Sequence, residues 1–154
     1  MAKKLQLKIV TPEKLILDEL VDQVSLPTQN GEITILPDHI PLISALASGD
    51  IVAVNDGEYI PMAIVGGFVE LKKNDTDTGK GVGLTTVVVL ADFAEHVSTI
   101  TDAEIEKAKA RAEVLRKQAE NKEVVDFEHF ESELERSLTR VKIADKWRSR
   151  KYRK

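Results

Sequence analysis

The segment 31–46, which reads GEITILPDHIPLISAL, constrains the fold more than any other part of the chain. Its first apolar residues alternate with polar ones, as they do in a strand. Pro37 and Pro41 then bracket residues 38–40. A proline fixes its own φ, has no N–H to donate and pushes the preceding residue towards an extended backbone. The bracketed residues therefore fit neither a helix interior nor a central strand, and we predict a rigid corner that presents His39 between two strands.

Short segments with the period of a β-strand occur on both sides of this corner. In the first, Leu5, Leu7 and Ile9 alternate with glutamine and lysine, which is typical of a half-buried strand. The sequence Asn55-Asp56-Gly57-Glu58 predicts a hairpin turn. The other predicted strands are 15–20, 21–26, 33–36, 42–46, 51–54, 59–65, 68–72 and 84–90. Many short strands with turn signals between them predict an antiparallel β-sandwich or barrel.

Some positions within these strands carry more specific expectations. A proline cannot donate to the strand ladder, so Pro61 predicts an edge strand. The pair Gly66-Gly67 predicts a bulge or a close backbone approach. Residues 48–50 read as a turn, and residues 74–83 read as a long hairpin loop in solvent. The continuous β-branched segment 84–90 predicts a strand that is buried on both faces.

After residue 100 the apolar period changes from that of a strand to that of a helix. Thr101 and Glu104 match a capping box, in which each side chain satisfies a free backbone N–H of the first turn. Asp126 is a candidate cap for a second helix. One apolar stripe consists of Ile105, Ala108, Ala112, Leu115 and Ala119, and the other of Phe127, Phe130, Leu134, Leu138 and Val141. Because the connection is short, we predict an antiparallel hairpin, and the whole chain is an α+β protein with an N-terminal β-sandwich followed by that hairpin.

Composition and charge exclude several classes of protein. The chain has no cysteine, so it forms neither a disulfide framework nor a thiolate metal site. It contains no apolar run of the roughly 20 residues that a membrane-spanning helix needs, and its N-terminus predicts neither a signal nor a transit peptide. The charge is uneven. Residues 1–98 have 7 lysines against 14 acidic residues, whereas residues 136–154 have 9 basic residues against 1 acidic residue.

The sequence carries no pattern of a catalytic site. His39, His96 and His129 are far apart, and none has a second ligand at the spacing of a helical zinc motif. Neither a nucleophile elbow nor a dinucleotide fingerprint occurs. A general base needs a partner that the sequence does not supply for His39, whereas a half-buried interface histidine needs only one hydrogen bond. We therefore interpret His39 as an interface residue and expect the chain not to be an enzyme.

The pattern GE-x-x-x-LP-x-H-x-PL, at residues 31–42, resembles a motif of the epsilon subunit of the rotary proton-translocating ATP synthase of bacteria and plastids. A second block resembles the same family in the same order: GGFVE at 66–70, then VLAD at 89–92 and Ala94-Glu95. The likeness covers nearly the whole chain. It implies a non-catalytic subunit with a binding β-sandwich domain at 1–98 and a regulatory helical hairpin at 99–154.

The resemblance also implies partners. The sandwich is expected between the gamma subunit and the c-ring, with Glu32 contacting the polar loops of the ring and His39 contacting gamma. The usual small polar residue before the paired glycines is Val65 here. The helices are expected to inhibit ATP hydrolysis by contacting the alpha/beta catalytic subunits through basic residues: Arg136, Arg140, Lys142, Lys146 and Arg148. This placement is peripheral, at the cytoplasmic face of the cell membrane, with no nucleic acid bound.

Nucleotide binding is a property of some family members, through a motif I/L-D-x-x-R-A that opens the second helix. Here Asp126 matches, and Arg136 and Arg140 are placed like arginines of those members. However, His129 replaces the motif arginine and Phe130 replaces the alanine, which removes a bidentate phosphate partner. We therefore expect no bound cofactor.

The alternative interpretation is a nucleic-acid-binding module, or a generic scaffold with a charged tail. It is based on the basic, aromatic-containing end at 147–154, WRSRKYRK. The acidic charge of the preceding residues argues against nucleic-acid binding, because it repels a polyanion that comes within about a Debye length.

Overall fold

The structure, a computed structural model, describes residues 3–74, 84–121 and 127–151. The chain divides into two compact units, Met1–Glu95 and His96–Lys154, close to the boundary predicted between residues 98 and 99. Most of the predicted loop 74–83 and the cap candidate Asp126 lie outside the described residues.

The described residues of the first unit, together with His96, form ten strands. They are β1 Leu5–Val10, β2 Leu15–Val21, β3 Gln23–Thr28, β4 Gly31–Ile35, β5 Leu42–Ala45, β6 Gly49–Asn55, β7 Glu58–Val65, β8 Phe68–Asn74, β9 Leu84–Leu90 and β10 Phe93–His96. The first sheet has the order β2-β1-β9-β8-β5, and the second sheet has the order β10-β7-β6-β3-β4. Both sheets contribute to one hydrophobic core, so the predicted β-sandwich is confirmed.

The strand period predicts which side chains enter this core. Leu5, Leu7 and Ile9 of β1 are fully buried, while the polar residues between them are half-buried. The predicted hairpin joins β6 to β7, with Asp56 and Gly57 at positive φ in its turn. The alternation of apolar and polar residues predicts burial correctly here, because successive side chains of a strand point to opposite faces of the sheet.

Pairing between distant strands departs from an entirely antiparallel arrangement. β1 pairs with β2 in the antiparallel sense but with β9 in the parallel sense. Parallel neighbours need a long connection, and β1 and β9 are separated by most of the sandwich. Local sequence patterns contain no information on this pairing.

Three predictions about single strands are wrong. Pro61 is not on an edge, because β7 lies between β6 and β10. β10 has four residues against the eight of β7, and a proline fits such a strand at a position where no ladder hydrogen bond needs its N–H. Residues 48–50 are not a turn, since Gly49 and Asp50 begin β6. In β9, the outer face is buried at Thr86 but 54% exposed at Leu90, so the strand is not buried on both faces along its whole length.

The pair Gly66-Gly67 turns the chain from the second sheet into the first. Gly66 has φ +59 and Gly67 has φ +104, both in the left-handed region that L side chains rarely adopt. A Cβ on Gly67 would overlap the carbonyl oxygen of Leu90 and lie 2.8 Å from the Cα of Ala91. The predicted close backbone approach is therefore confirmed.

The second unit contains a 3-10 turn, Val97–Thr99, and the helices α1 Asp102–Glu120 and α2 Phe127–Lys151. The capping box at Thr101 is confirmed: its hydroxyl accepts a hydrogen bond from the N–H of Glu104, and the Glu104 carboxylate accepts one from the N–H of Thr101. No helix within the described ranges is long and apolar enough to cross a lipid bilayer.

The helices pack against each other, but the buried faces differ from the predicted stripes. On α1, Ile105, Ala108 and Leu115 are buried as expected, whereas Ala119 is exposed. On α2, Phe130 is buried but Leu138 is 50% exposed, and Ser137 is buried in its place. Residues three and four positions after Leu134 lie on the same helix face, so the spacing permits burial of either Ser137 or Leu138. Close packing of the helices favours serine, the smaller side chain.

Candidate partner-binding site

The proline-bracketed corner connects β4 of the second sheet to β5 of the first, as predicted. Asp38 lies at its centre with φ +67. The Asp38 N–H donates to Thr85 Oγ1 at 2.9 Å, and its carboxylate pairs with Lys3 Nζ at 2.5 Å. The ammonium of Lys3 lowers the pKa of the Asp38 carboxyl below its usual value. These contacts fix the corner, and sequence patterns did not indicate Asp38 or its partners.

His39 is half-buried next to this fixed residue. Its N–H donates to the carbonyl of Leu36 at 3.2 Å, and its Nδ1 lies 2.8 Å from the carbonyl oxygen of Ile40. In the part of the chain that the structure describes, its Nε2 has no hydrogen-bond partner. The side chains of Leu36 and Ile40 are 52% and 75% exposed. The corner thus presents one imidazole nitrogen between two exposed apolar side chains.

An apolar row crosses the outer face of the first sheet. Strand register places five residues side by side, and we call them the exposed row: Leu15, Val10, Leu90, Phe68 and Ala45. Leu15, Leu90 and Phe68 are each more than half exposed. Ile43 lies on β5, two residues before Ala45 in the chain, and is 75% exposed. A contiguous apolar surface of this kind marks a protein interaction site more often than scattered apolar residues do.

Glu32 lies on the hairpin between β3 and β4. It is exposed and opposite Pro27 in the strand register. The turn before it is held by a hydrogen bond from Thr28 Oγ1 to the carbonyl of Gly31 at 2.5 Å and by one from Gln29 N–H to the carbonyl of Ala45 at 3.2 Å. Glu32 is therefore available to a partner, whereas Val65 is only 5% exposed.

The basic residues of α2 do not form one uniform face. Arg136, Lys142 and Arg148 are exposed, and Arg140 and Lys146 are half-buried. Arg148 forms an ion pair with Asp102 at the start of α1. This pairing, which sequence patterns did not indicate, places the C-terminal part of α2 beside the N-terminus of α1, as an antiparallel hairpin requires.

A second ion pair connects the helices nearer to their short connection. Arg111 Nε donates to Glu133 Oε1 at 2.6 Å, and the Arg111 guanidinium also donates to Glu133 Oε2 at 3.1 Å. The guanidinium lowers the pKa of the Glu133 carboxyl, and His129, 4.0 Å away, contributes less. The fork geometry of arginine suits this two-oxygen contact.

The structure describes two of the three candidate nucleotide residues, and these lie four residues apart on α2. Asp126 is outside the described residues, while Arg136 is exposed and Arg140 is half-buried on α2. Phe130, at the position of the motif alanine, is 8% exposed. The described residues also contain no group of three or more histidine, aspartate or glutamate side chains able to hold a metal ion.

Comparison with known proteins agrees with this architecture. Residues 4–77 match the family model described as the β-sandwich domain of the ATP synthase delta/epsilon chain. The chain is 39% identical over 143 residues to the ATP synthase epsilon chain of Nitratidesulfovibrio vulgaris strain DP4, covering 93% of this chain and 97% of that one. It is 37% identical over 145 residues to the epsilon chain of Desulforamulus reducens, covering 94% and 100%.

A solved structure shares the fold. It is a chain of the mitochondrial ATP synthase of Euglena gracilis, determined by cryo-EM with OSCP, F1 and the c-ring. The TM-score is 0.60 at 20% identity, covering 97% of this chain and 82% of that one. Both the full-length identity to bacterial relatives and the shared fold agree with the resemblance found at the corner and the paired glycines. The chain belongs to the ATP synthase epsilon chain family, whose members are non-catalytic subunits of that complex.

Proposed function

We propose that this chain acts in the central stalk of a proton-translocating ATP synthase, where its β-sandwich connects the gamma subunit to the c-ring and its helical hairpin inhibits ATP hydrolysis. The observation that carries the first part is the exposed row. A chain of this family has to bind its complex through some surface, and the row is an apolar surface that spans all five strands of the first sheet.

The gamma subunit is the partner that we assign to this surface. Half-buried His39 and exposed Ile40 lie at the corner that leads into β5, the strand that carries Ile43 and Ala45. A histidine with one ring nitrogen bound internally and the other available gives a single oriented hydrogen bond to a partner. We therefore propose that the exposed row supplies the apolar area buried against gamma. The hydrogen bond from His39 would fix the orientation of gamma on this surface.

The c-ring is assigned to the β3–β4 hairpin. Glu32 is an exposed carboxylate at the start of β4, directly after a turn that two hydrogen bonds hold. Polar loops of a ring offer backbone N–H groups and polar side chains, which a carboxylate accepts from. Val65 is excluded from this contact because it is buried.

Inhibition is assigned to the second unit. Nine basic residues against one acidic residue in 136–154 favour an acidic partner surface, and we assign that surface to the alpha/beta catalytic subunits. Arg136, Arg140, Lys142, Lys146 and Arg148 are the residues we expect to contact it, and the chain would then lie peripherally at the cytoplasmic face of the membrane.

The alternative function, nucleic-acid binding by the basic end, has less support. The similarity to an ATP synthase epsilon chain, at 39% identity, covers 93% of this chain. A module that acts through residues 147–154 alone would not explain similarity over that length. The acidic sandwich also opposes approach of a polyanion.

Reconstitution tests the proposal. The full chain, or a chain ending at residue 135, is added to an ATP synthase complex depleted of its epsilon chain, and both proton-driven ATP synthesis and ATP hydrolysis are measured. We expect the full chain to restore synthesis and lower hydrolysis, and the shortened chain to assemble equally well but leave hydrolysis higher. High ionic strength should partly reproduce the deletion, because the attraction is between exposed charges. Equal hydrolysis with both chains at every salt concentration would contradict the inhibitory role.

A further inference from the structure

A groove of about 430 Å³ opens beside the exposed row. Its walls are apolar and include Val10, Pro12, Phe68 and Leu90, and the exposed carboxylate of Asp92 lies among them. Phe68 and Leu90 also belong to the exposed row, so the groove and the row form one continuous surface.

Gly67 lines this groove, and both paired glycines lie in close contact with other residues that line it. A Cβ on Gly66 would lie 2.7 Å from Asp92 Oδ2, and a Cβ on Gly67 would overlap the backbone of Leu90. A larger residue at position 66 would displace the Asp92 carboxylate, and one at position 67 would displace the backbone of Leu90 and Ala91. The absence of side chains at the two glycines thus leaves room for the carboxylate beside the apolar walls.

The carboxylate of Asp92 decides which occupant fits the groove. Among the residues that the structure describes, its carboxylate forms no ion pair and no hydrogen bond. The surrounding residues 1–98 have twice as many acidic as basic side chains. A purely apolar occupant would cover the carboxylate and leave it desolvated without a partner, which is costly. An occupant with an apolar stem and a cationic end satisfies both parts of the groove.

We propose that the groove binds a lysine or arginine side chain of the gamma subunit, whose methylene stem packs on Pro12 and Leu90 and whose cation pairs with Asp92. The exposed ring of Phe68 offers a second attraction, since cations bind favourably over aromatic faces. This assignment rests on the proposed function, because the groove is continuous with the surface assigned to gamma.

The test measures the dissociation constant of the full chain for the catalytic complex that contains gamma and lacks the epsilon chain. We expect Asp92→Asn to weaken binding by about tenfold or more, as loss of one partner of a covered charge pair does. Asp92→Leu should weaken it further. The matched control is Glu19→Gln, which removes the same charge from an exposed position of β2, and it should change binding less than about twofold. Melting temperatures of all variants should match, since Asp92 is exposed.

The possible results distinguish the proposed function from the assignment of a cation to the groove. If the unmodified chain does not bind the gamma-containing complex, both the proposed function and this inference are wrong. If it binds and Asp92→Asn behaves like Glu19→Gln, only the cation assignment is wrong. If Asp92→Leu binds as tightly as the unmodified chain or more tightly, the groove takes an apolar side chain and the inference is overturned.

Discussion

Arg111 and Glu133 join the two helices through two hydrogen bonds, at 2.6 and 3.1 Å, between one guanidinium and one carboxylate. Together with the pair between Asp102 and Arg148, this contact connects α1 to α2 at two levels. Arg148 is also one of the residues that we expect to reach the catalytic subunits. It cannot pair with Asp102 and with a partner at the same time, so closure of the hairpin and inhibition would compete for the same cation.

We expect Glu133→Gln to loosen the hairpin, because glutamine carries no charge and accepts through one oxygen only. The measurement is amide hydrogen exchange of the isolated chain, where exchange in α2 should quicken by up to about fivefold, the range of an exposed ion pair. Glu106→Gln is the control. It removes the pair with Lys109 at 3.9 Å, which lies within α1 alone, and should leave α2 unchanged. Equal exchange in the two variants would contradict a role for Glu133 in closing the hairpin.

Gly67→Ala should destabilise the sandwich strongly, by at least about 2 kcal/mol, because the new Cβ meets backbone that has no freedom to move. Denaturant unfolding measures the change. Gly57→Ala provides the comparison: φ there is +81, but a Cβ would meet nothing within 4 Å. That variant should lose only about 1 kcal/mol, the cost of a left-handed backbone alone. Similar losses in both variants would show that the close approach at Gly67 is unimportant.

Acid should destabilise the chain through carboxyl groups whose pKa values are lowered by folding. These are Asp38 beside Lys3, Glu104 accepting from Thr101, and Glu133 beside Arg111. Because each pKa is lower in the folded state, the unfolded chain binds more protons, and the stabilisation is present above about pH 4.5 and lost as the pH falls through the folded pKa. Melting temperatures measured between pH 7 and pH 3 should therefore fall once the pH is below about 4.5. The fall should be less steep in a variant in which Glu104 and Glu133 are both replaced by glutamine.

Glu32→Ala should reduce proton-driven ATP synthesis by the assembled complex while leaving the isolated chain nearly as stable as before. Glu32 is exposed, so its replacement should cost no more than about 0.5 kcal/mol of the free energy of unfolding. Reconstituted synthesis and the melting temperature are measured on the same preparation. A larger loss of stability with normal synthesis would assign Glu32 a structural role instead.

ATP should not bind at micromolar concentrations, because His129 and Phe130 replace the motif residues and Phe130 is buried. Calorimetry of the purified chain with millimolar ATP is the measurement. A clear micromolar isotherm would contradict this expectation, and Arg136 and Arg140 would then be the first residues to replace.

The amino-acid sequence alone determined the features that depend on neighbouring residues. The prolines at 37 and 41 predicted the corner, alternation predicted the buried face of β1, and Thr101 with Glu104 predicted the start of α1. Each of these follows from backbone geometry or side-chain period within a few residues, where the number of alternatives is small.

The tertiary structure decided everything that depends on register between distant segments. It placed β1 parallel to β9, put Pro61 in an interior strand, buried Ser137 rather than Leu138 and joined Arg148 to Asp102. The exposed row exists only because five strands, separated along the chain, align one apolar residue each on the same face. Such alignments are set by the packing of the whole core, which selects one register among many that local patterns permit equally.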